Sequence, residues 1–203
     1  ADGTMQEIAA TYGVQEALVE QGEPAEVTPA ADGDVAYIQG KGTLIVGITD
    51  FAPMDYKDEN GEWIGFDADM AKLVAEKLGV EVQFIEIDWD NKIMELDSKN
   101  IDVVWNGMTL TDEVTSAMEC TNAYCNNAQV VVLPADVADQ YPDAASMSDL
   151  SFAVESGSAG QDQADANGFA DTEFLDQATA VLDVSSGTAD AALIDHLMAA
   201  HLS

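Results

Sequence analysis

Several short stretches of this chain carry residue types that can bind or transform a small polar molecule. In Thr49–Asp50–Phe51, Asp50 can hold a ligand amine while Phe51 covers an apolar stem, although an ordinary turn satisfies the same residues. Trp89 and the run Trp105–Asn106–Gly107–Met108–Thr109 offer aromatic, amide, hydroxyl and backbone groups of the kind that wall a pocket. Within that run Asn106 and Thr109 are the better ligand candidates, and Trp105 reads as core. Glu155–Ser156–Gly157–Ser158–Ala159–Gly160 joins a strand to a helix, and free N–H groups at a helix start favour an anion. It lacks the lysine of a P-loop, and Glu155 disfavours phosphate; a plain tight turn fits equally well. Asp195–His196 stands where a strand becomes a helix, and the simplest role for Asp195 is to cap that helix. No Ser–His–Asp elbow is present, so no catalytic set emerges. Cys120 and Cys125 have no histidine beside them and so lack the ligands of a zinc site. They are either two buried thiols or a disulfide across the Thr121–Tyr124 turn; the disulfide is the expectation for an exported protein.

The elements that would position these groups follow from periodicity. Residues 1–20 read as helical, with Met5, Ile8, Ala9 and Tyr12 on one face and a break at Gly13. Residues 21–40 have the Pro, Gly, Ala and acid content of a linker. Strand–helix alternation follows: strand 43–48, a helix capped by Asp67 and running to Leu78, strand 80–87, a helix from Asp90 to Ser98, and strand 101–105. In the first of these helices Met70, Leu73, Val74 and Leu78 are expected to face inward. A βαβαβ order implies a parallel sheet with right-handed crossovers. Strand 129–133 and a polar loop lead to a second α/β unit. It has a strand at 151–155, helices near 159–167 and 174–182, a strand at 189–194 and a helix from Asp195. The division expected is 1–20 helix, 21–40 linker, 41–127 first lobe and 128–203 second lobe. Ligands of such sheets sit beyond the carboxyl ends of the strands.

Composition removes several functions. Thirty-nine acidic residues face six basic ones, for a formal net charge of −33. The basic residues are all lysines, and the last is Lys99. Nucleic acid needs a basic face and an anionic membrane surface attracts one, so neither is an expected partner. No apolar run of about 18 residues appears, so no bilayer-spanning helix is expected.

The stretch from GTLIVGITDF through "GFD" (65–67), Asp88–Trp89 and D-x-x-x-x-G-x-T-x-T-D-E (102–113) resembles the first lobe of the amino-acid-binding proteins of ABC transporters, of the glutamine/histidine/lysine-binding type. A looser match runs from FAVESGSAG to DAALID. The resemblance covers about residues 41–203. It implies a two-lobed α/β fold of the periplasmic-binding-protein type II, each lobe a mostly parallel sheet flanked by helices. Phe51 and Trp89 then resemble the aromatic pair that sandwiches the ligand, and Asn106, Gly107 and Thr109 the donors of the first lobe. Asp195 resembles the carboxylate that grips the α-ammonium, and Ser158 a second-lobe contact. The implied protein is extracellular or periplasmic, anchoring as a lipoprotein being one form. It binds an amino acid or amine, works with an ABC permease, and uses no cofactor or metal.

Two departures from the family pattern shape the expectation. The family's T-D-E-R places an arginine on the ligand carboxylate, and here that position is Val114. A lysine often found after the second-lobe strand is Glu155. Asp50, Glu155 and Asp195 would then make an acidic site suited to an amine or cation. The order also differs: ADGTMQEIAATYGV resembles the family's C-terminal helix, yet it comes first. This arrangement, and the lack of a return crossover after Ser203, suggests a permuted or excerpted chain, with another copy as one source of the missing segment. The alternatives are an enzyme on the same fold, dehydratase-like with Glu155 as general acid, and a degenerate binding domain with a structural role.

Overall fold

The computed structural model describes residues 3–22 and 28–202; positions 23–27 of the expected linker lie outside them. Contacts divide the chain into two compact units. Unit 1 is Ala1–Thr49, Pro53–Ile87 and Lys92–Asn126, and unit 2 is Asp50–Ala52, Asp88–Asn91 and Asn127–Ser203.

Unit 1 opens with α1 (Thr4–Tyr12), which ends at Gly13 in the left-handed region. The helix is shorter than the 1–20 expected, because glycine takes that conformation without strain and lets the chain turn away. A single 3₁₀ turn at Gln15–Ala17 follows. Helix α2 (Asp34–Lys41) corrects the linker reading of 21–40. It forms because Ile38 is buried against Leu44, Val46, Ala71 and Ala75. Then come β1 (Thr43–Ile48), a small hairpin of β2 (Tyr56–Lys57) and β3 (Trp63–Ile64) that periodicity did not reveal, and α3 (Phe66–Leu78). Strand β4 (Glu81–Glu86), α4 (Lys92–Asp97), β5 (Val103–Val104) and α5 (Asp112–Ala117) complete the unit. The sheet runs β4-β1-β5, and both pairings are parallel.

Helix α3 buries Phe66, Asp67, Ala68, Ala71 and Ala75. The inward face expected from Met70, Leu73, Val74 and Leu78 is therefore only its partly buried flank. The alanines present little bulk, so the helix lies close against its neighbours and the larger residues pack around the rim. Helix α1 packs on α3, and the Tyr12 hydroxyl donates to Asp69 Oδ2 at 2.6 Å.

Unit 2 contains β6 (Gln129–Val132), β7 (Ser151–Glu155), α6 (Ala159–Asn167), β8 (Ala170–Phe174), α7 (Gln177–Ser185), β9 (Ala191–Asp195) and α8 (His196–Leu202). The sheet order is β6-β9-β7-β8; β6 runs antiparallel to β9 and the other pairs are parallel. Strand β8 was not expected, and the helix placed near 174–182 begins after it, at Gln177. Its sequence, ADTEF, lacks the alternation of a half-buried strand because it lies at a sheet edge, paired only to β7. The core is apolar, with Phe152 stacked on Phe169 at 4.4 Å between centroids.

All six lysines lie in unit 1. Among the described residues three form ion pairs, Lys41 with Asp102 at 2.6 Å, Lys57 with Glu86 at 2.5 Å and Lys72 with Asp69 at 3.0 Å. No helix among the described residues is long and apolar enough to cross a membrane.

Candidate functional site

In unit 1 the GFD segment builds the support for the loop after β5. Gly65 adopts φ 125°, and a Cβ there would lie 2.2 Å from the Met54 carbonyl oxygen. This close approach lets Phe66 and Asp67 donate their backbone N–H groups to the carbonyls of Pro53 and Met54, at 3.1 and 2.9 Å. The start of α3 is thus satisfied by backbone, and Asp67 is not its cap as the sequence suggested. The side chain turns inward, where Oδ2 accepts from the Gly107 N–H at 2.6 Å and the Tyr124 hydroxyl at 2.9 Å. Burial pushes the Asp67 carboxyl up to about 7, against the lowering effect of the Tyr124 and Gly107 donors. The Tyr124 hydroxyl is raised in turn, first by burial and then by the nearby Asp67.

In this arrangement two of the expected first-lobe donors already have partners within unit 1. The Gly107 N–H is committed to Asp67. The Asn106 carboxamide is committed to Thr49, accepting from its N–H at 2.8 Å and donating to its hydroxyl at 2.6 Å. Both residues shape the loop. Thr109 is exposed beyond it, and its carbonyl accepts from the Thr111 N–H at 3.0 Å. Thr111 caps α5, and Val114, in the place of the family's arginine, is 2% exposed. A cavity of about 520 Å³ in unit 1 is walled by Phe66, Met70, Val103, Trp105, Met108 and Tyr124 among others. Its walls are chiefly apolar, which suits a zwitterion poorly.

Cys120 and Cys125 are free thiols, so the expected disulfide is not formed. Pairing of the segment fixes this outcome. Cys125 bridges Leu18, Val19 donates to the Tyr124 carbonyl and Asn126 donates to that of Ala17, which holds 124–126 extended along 17–19. Cys120 Sγ instead contacts the Met118 carbonyl at 3.6 Å. Burial, and secondarily Asp67, push the Cys125 thiol up to about 12. Thiolate is the reactive form, so at pH 8 Cys125 is expected to resist iodoacetamide in the folded protein and to react once denatured. Peptide mapping after labelling checks this; rapid folded-state modification of Cys125 would contradict it.

The remaining candidates gather in unit 2, which includes Asp50–Ala52 and Asp88–Asn91. Phe51 and Trp89 are buried, at 3% and 7% exposure, and Asp50 is half-buried. Gly157, at φ 67°, lies so close to Asp90 that a Cβ would sit 2.7 Å from the Asp90 Cα. Ser158 is buried and caps α6, its hydroxyl accepting from the Gln161 N–H at 3.2 Å. Glu155 ends β7 and Asp195 ends β9, two neighbouring parallel strands, and both side chains are buried. Asp195 does not cap α8 through its carboxylate. Oδ1 accepts from the side-chain amides of Asn127 and of Gln129, the latter at 2.8 Å, and Oδ2 accepts from Gln177 at 2.5 Å. Gln177 Nε2 also reaches Glu155 Oε2 at 3.3 Å, and its Oε1 accepts from the Asp195 backbone N–H at 2.9 Å. Burial raises the Asp195 carboxyl, and the amides of Gln177, Gln129 and Asn127 oppose it in that order.

Asn127, Gln129 and Gln177 were not found from the sequence. Gln177 directly follows Asp176, the N-cap of α7, at a position the helix buries.

The family model of bacterial extracellular solute-binding proteins, family 3, matches residues 44–193. The arginine-binding extracellular protein ArtP of Bacillus subtilis is 30% identical over 79% of this chain, and the chain spans 64% of ArtP's length. The arginine-bound, truncated ArgBP of T. maritima superposes with a TM-score of 0.78 at 32% identity, covering 82% of this chain and 80% of that one. The ancestral amino-acid-binding protein AncCDT-1, a precursor of cyclohexadienyl dehydratase, gives 0.79 at 33% identity, covering 83% and 77%. With the family model spanning most of both units, this chain belongs to family 3 of the bacterial extracellular solute-binding proteins.

Proposed function

We propose that this chain is the solute-binding component of an ABC uptake system, acting outside the cytoplasmic membrane on a small amino acid or amine. The observation that carries the reading is Asp195, a buried carboxylate at the C-terminal end of a central strand, held by three amide donors with Glu155 beside it. A carboxylate so held is suited to an ammonium group, which it meets by charge-assisted hydrogen bonds. Phe51 and Trp89 supply rings that favour a cation by about 0.5–2 kcal/mol, depending on desolvation. Glu155 and Val114, standing where the family carries basic groups, favour a ligand whose net charge is positive. ArtP and ArgBP, named for arginine, fit that class. The dehydratase alternative would have Glu155 donate a proton to a carboxylate-bearing substrate. ArtP and ArgBP are named for binding, and binding without chemistry is the better-supported reading.

Titration calorimetry with arginine, agmatine, lysine and glutamine tests the proposal. Arginine or agmatine is expected to bind, and Asp195→Asn to weaken that binding by about 30-fold or more, the cost of removing one partner from a buried charged hydrogen bond. Glutamine binding tighter than every cation, or an Asp195→Asn affinity equal to wild type, would overturn the acidic-site reading.

A further inference from the structure

We propose that Gln177 is a positioning residue of this site: its single carboxamide fixes the Asp195 side chain against the Asp195 backbone and keeps it in the charged form that accepts an ammonium. The proposal rests on the binding role of Asp195 proposed above.

The geometry is a closed ring. Gln177 Oε1 takes the backbone N–H of Asp195 at 2.9 Å, while Nε2 gives a hydrogen to the Oδ2 of the same residue at 2.5 Å. Because the oxygen is claimed by an N–H, the nitrogen must face the carboxylates, which settles the orientation of the amide. The Asp195 side chain therefore cannot rotate without breaking a bond to Gln177. The same Nε2 lies 3.3 Å from Glu155 Oε2, so one NH₂ group separates two buried carboxylates. Its loss would remove from both carboxylates a donor that favours their charged forms.

Position in the fold explains the reach. Gln177 is the first residue of α7, directly after Asp176, whose carboxylate caps the helix by accepting from the Thr179 N–H at 2.6 Å. With the cap supplied by its neighbour, Gln177 is free to point inward, and it is 5% exposed. Helix α7 packs on β7, β8 and β9. The ionisable groups these bring are Glu155 on β7, Asp171 and Glu173 on β8, and Asp195 on β9, with His196 following. Glu173 accepts from the Ser156 hydroxyl at 2.7 Å. No lysine or arginine occurs after Lys99, and the side-chain donors that Asp195 meets are amides.

Two variants test the role. Gln177→Met keeps the length and removes both polar atoms. Gln177→Asn keeps a carboxamide one methylene too short to close the ring, and it guards against a folding failure of the first. The ¹³C carboxyl resonance of Asp195 is titrated in ligand-free protein, and arginine affinity is measured by calorimetry between pH 5.5 and 8. Wild type is expected to bind arginine with little change over this range. Both variants are expected to raise the Asp195 titration midpoint by about one unit, through loss of a donor to the charged form. Arginine binding should then weaken about twofold at pH 5.5 and recover toward pH 8. A purely structural role would lower stability without moving the midpoint. An unchanged midpoint in a folded variant overturns the proposal whether or not arginine binds. Failure of wild type to bind arginine, with the midpoint still raised by the variants, counts against the proposed ligand class and leaves the role of Gln177 standing.

Discussion

Gly65→Ala is expected to destabilise unit 1 by on the order of 3–5 kcal/mol, or to prevent its folding, because two penalties coincide there. The residue lies at φ 125°, outside the regions a side chain tolerates. A Cβ would also fall 2.2 Å from the Met54 carbonyl oxygen and 2.5 Å from its carbon, both backbone atoms. Relief would require moving residues 53–54 away from α3, which breaks the hydrogen bonds that start the helix and withdraws Asp67 from Gly107. Gly61 provides the comparison. It also has positive φ, at 81°, but a Cβ there meets nothing within 4 Å, so Gly61→Ala should cost only the backbone strain of about 1–2 kcal/mol. Urea unfolding of both variants measures the difference; equal losses would show that the approach to Met54 carries no weight.

Asp67 should make the stability of unit 1 fall as pH rises. In the unfolded chain its carboxyl ionises near 3.8, while in the fold burial raises it to about 7. Between those values the folded chain holds a proton that the unfolded chain has released, so increasing pH favours unfolding. The contribution is fully present below about pH 4 and is lost as pH passes 7. With about 1.36 kcal/mol per unit, the loss is on the order of 4 kcal/mol across the whole interval. Repulsion within a chain of net charge −33 has the same sign, so the comparison must be made against Asp67→Asn, which keeps that repulsion and removes the titration. From pH 5 to pH 8 wild type should lose several times more stability than the variant in urea unfolding. Equal losses would mean that the folded Asp67 carboxyl is already ionised at pH 5.

The strands with strong apolar content were legible in the sequence. TLIVGI and SFAVE lie where periodicity placed them, because each fills an interior position of a sheet, and QVVVL was legible at a sheet edge because its valines are half-buried. Strand β8 and the close-packed face of α3 were not legible. Strand β8 carries acids because its outer side needs no partner, and α3 faces inward with alanines that a hydrophobicity count undervalues. The site divides in the same way. Asp195 and Glu155 were recognisable as carboxylates at strand ends, but their amide partners come from residues 18 to 68 positions away in sequence, a separation no local pattern encodes. Asn106 and Gly107 have ligand-like chemistry, and the sequence does not show that the fold engages them with Thr49 and Asp67.

The confinement of every lysine to unit 1 also governs proteolysis. Trypsin cleaves after lysine or arginine, and between Asn100 and Ser203 it has no bond to cut. A tryptic digest therefore senses opening of unit 1 alone, where Lys41, Lys72 and Lys92 are tied into helices, and it delivers β6 through α8 uncut even when unit 2 is unfolded. Loss of structure in unit 2 is visible only to an acid-directed or aromatic-directed protease. For such an enzyme the acids scattered from Asp136 to Asp195 offer sites along its length.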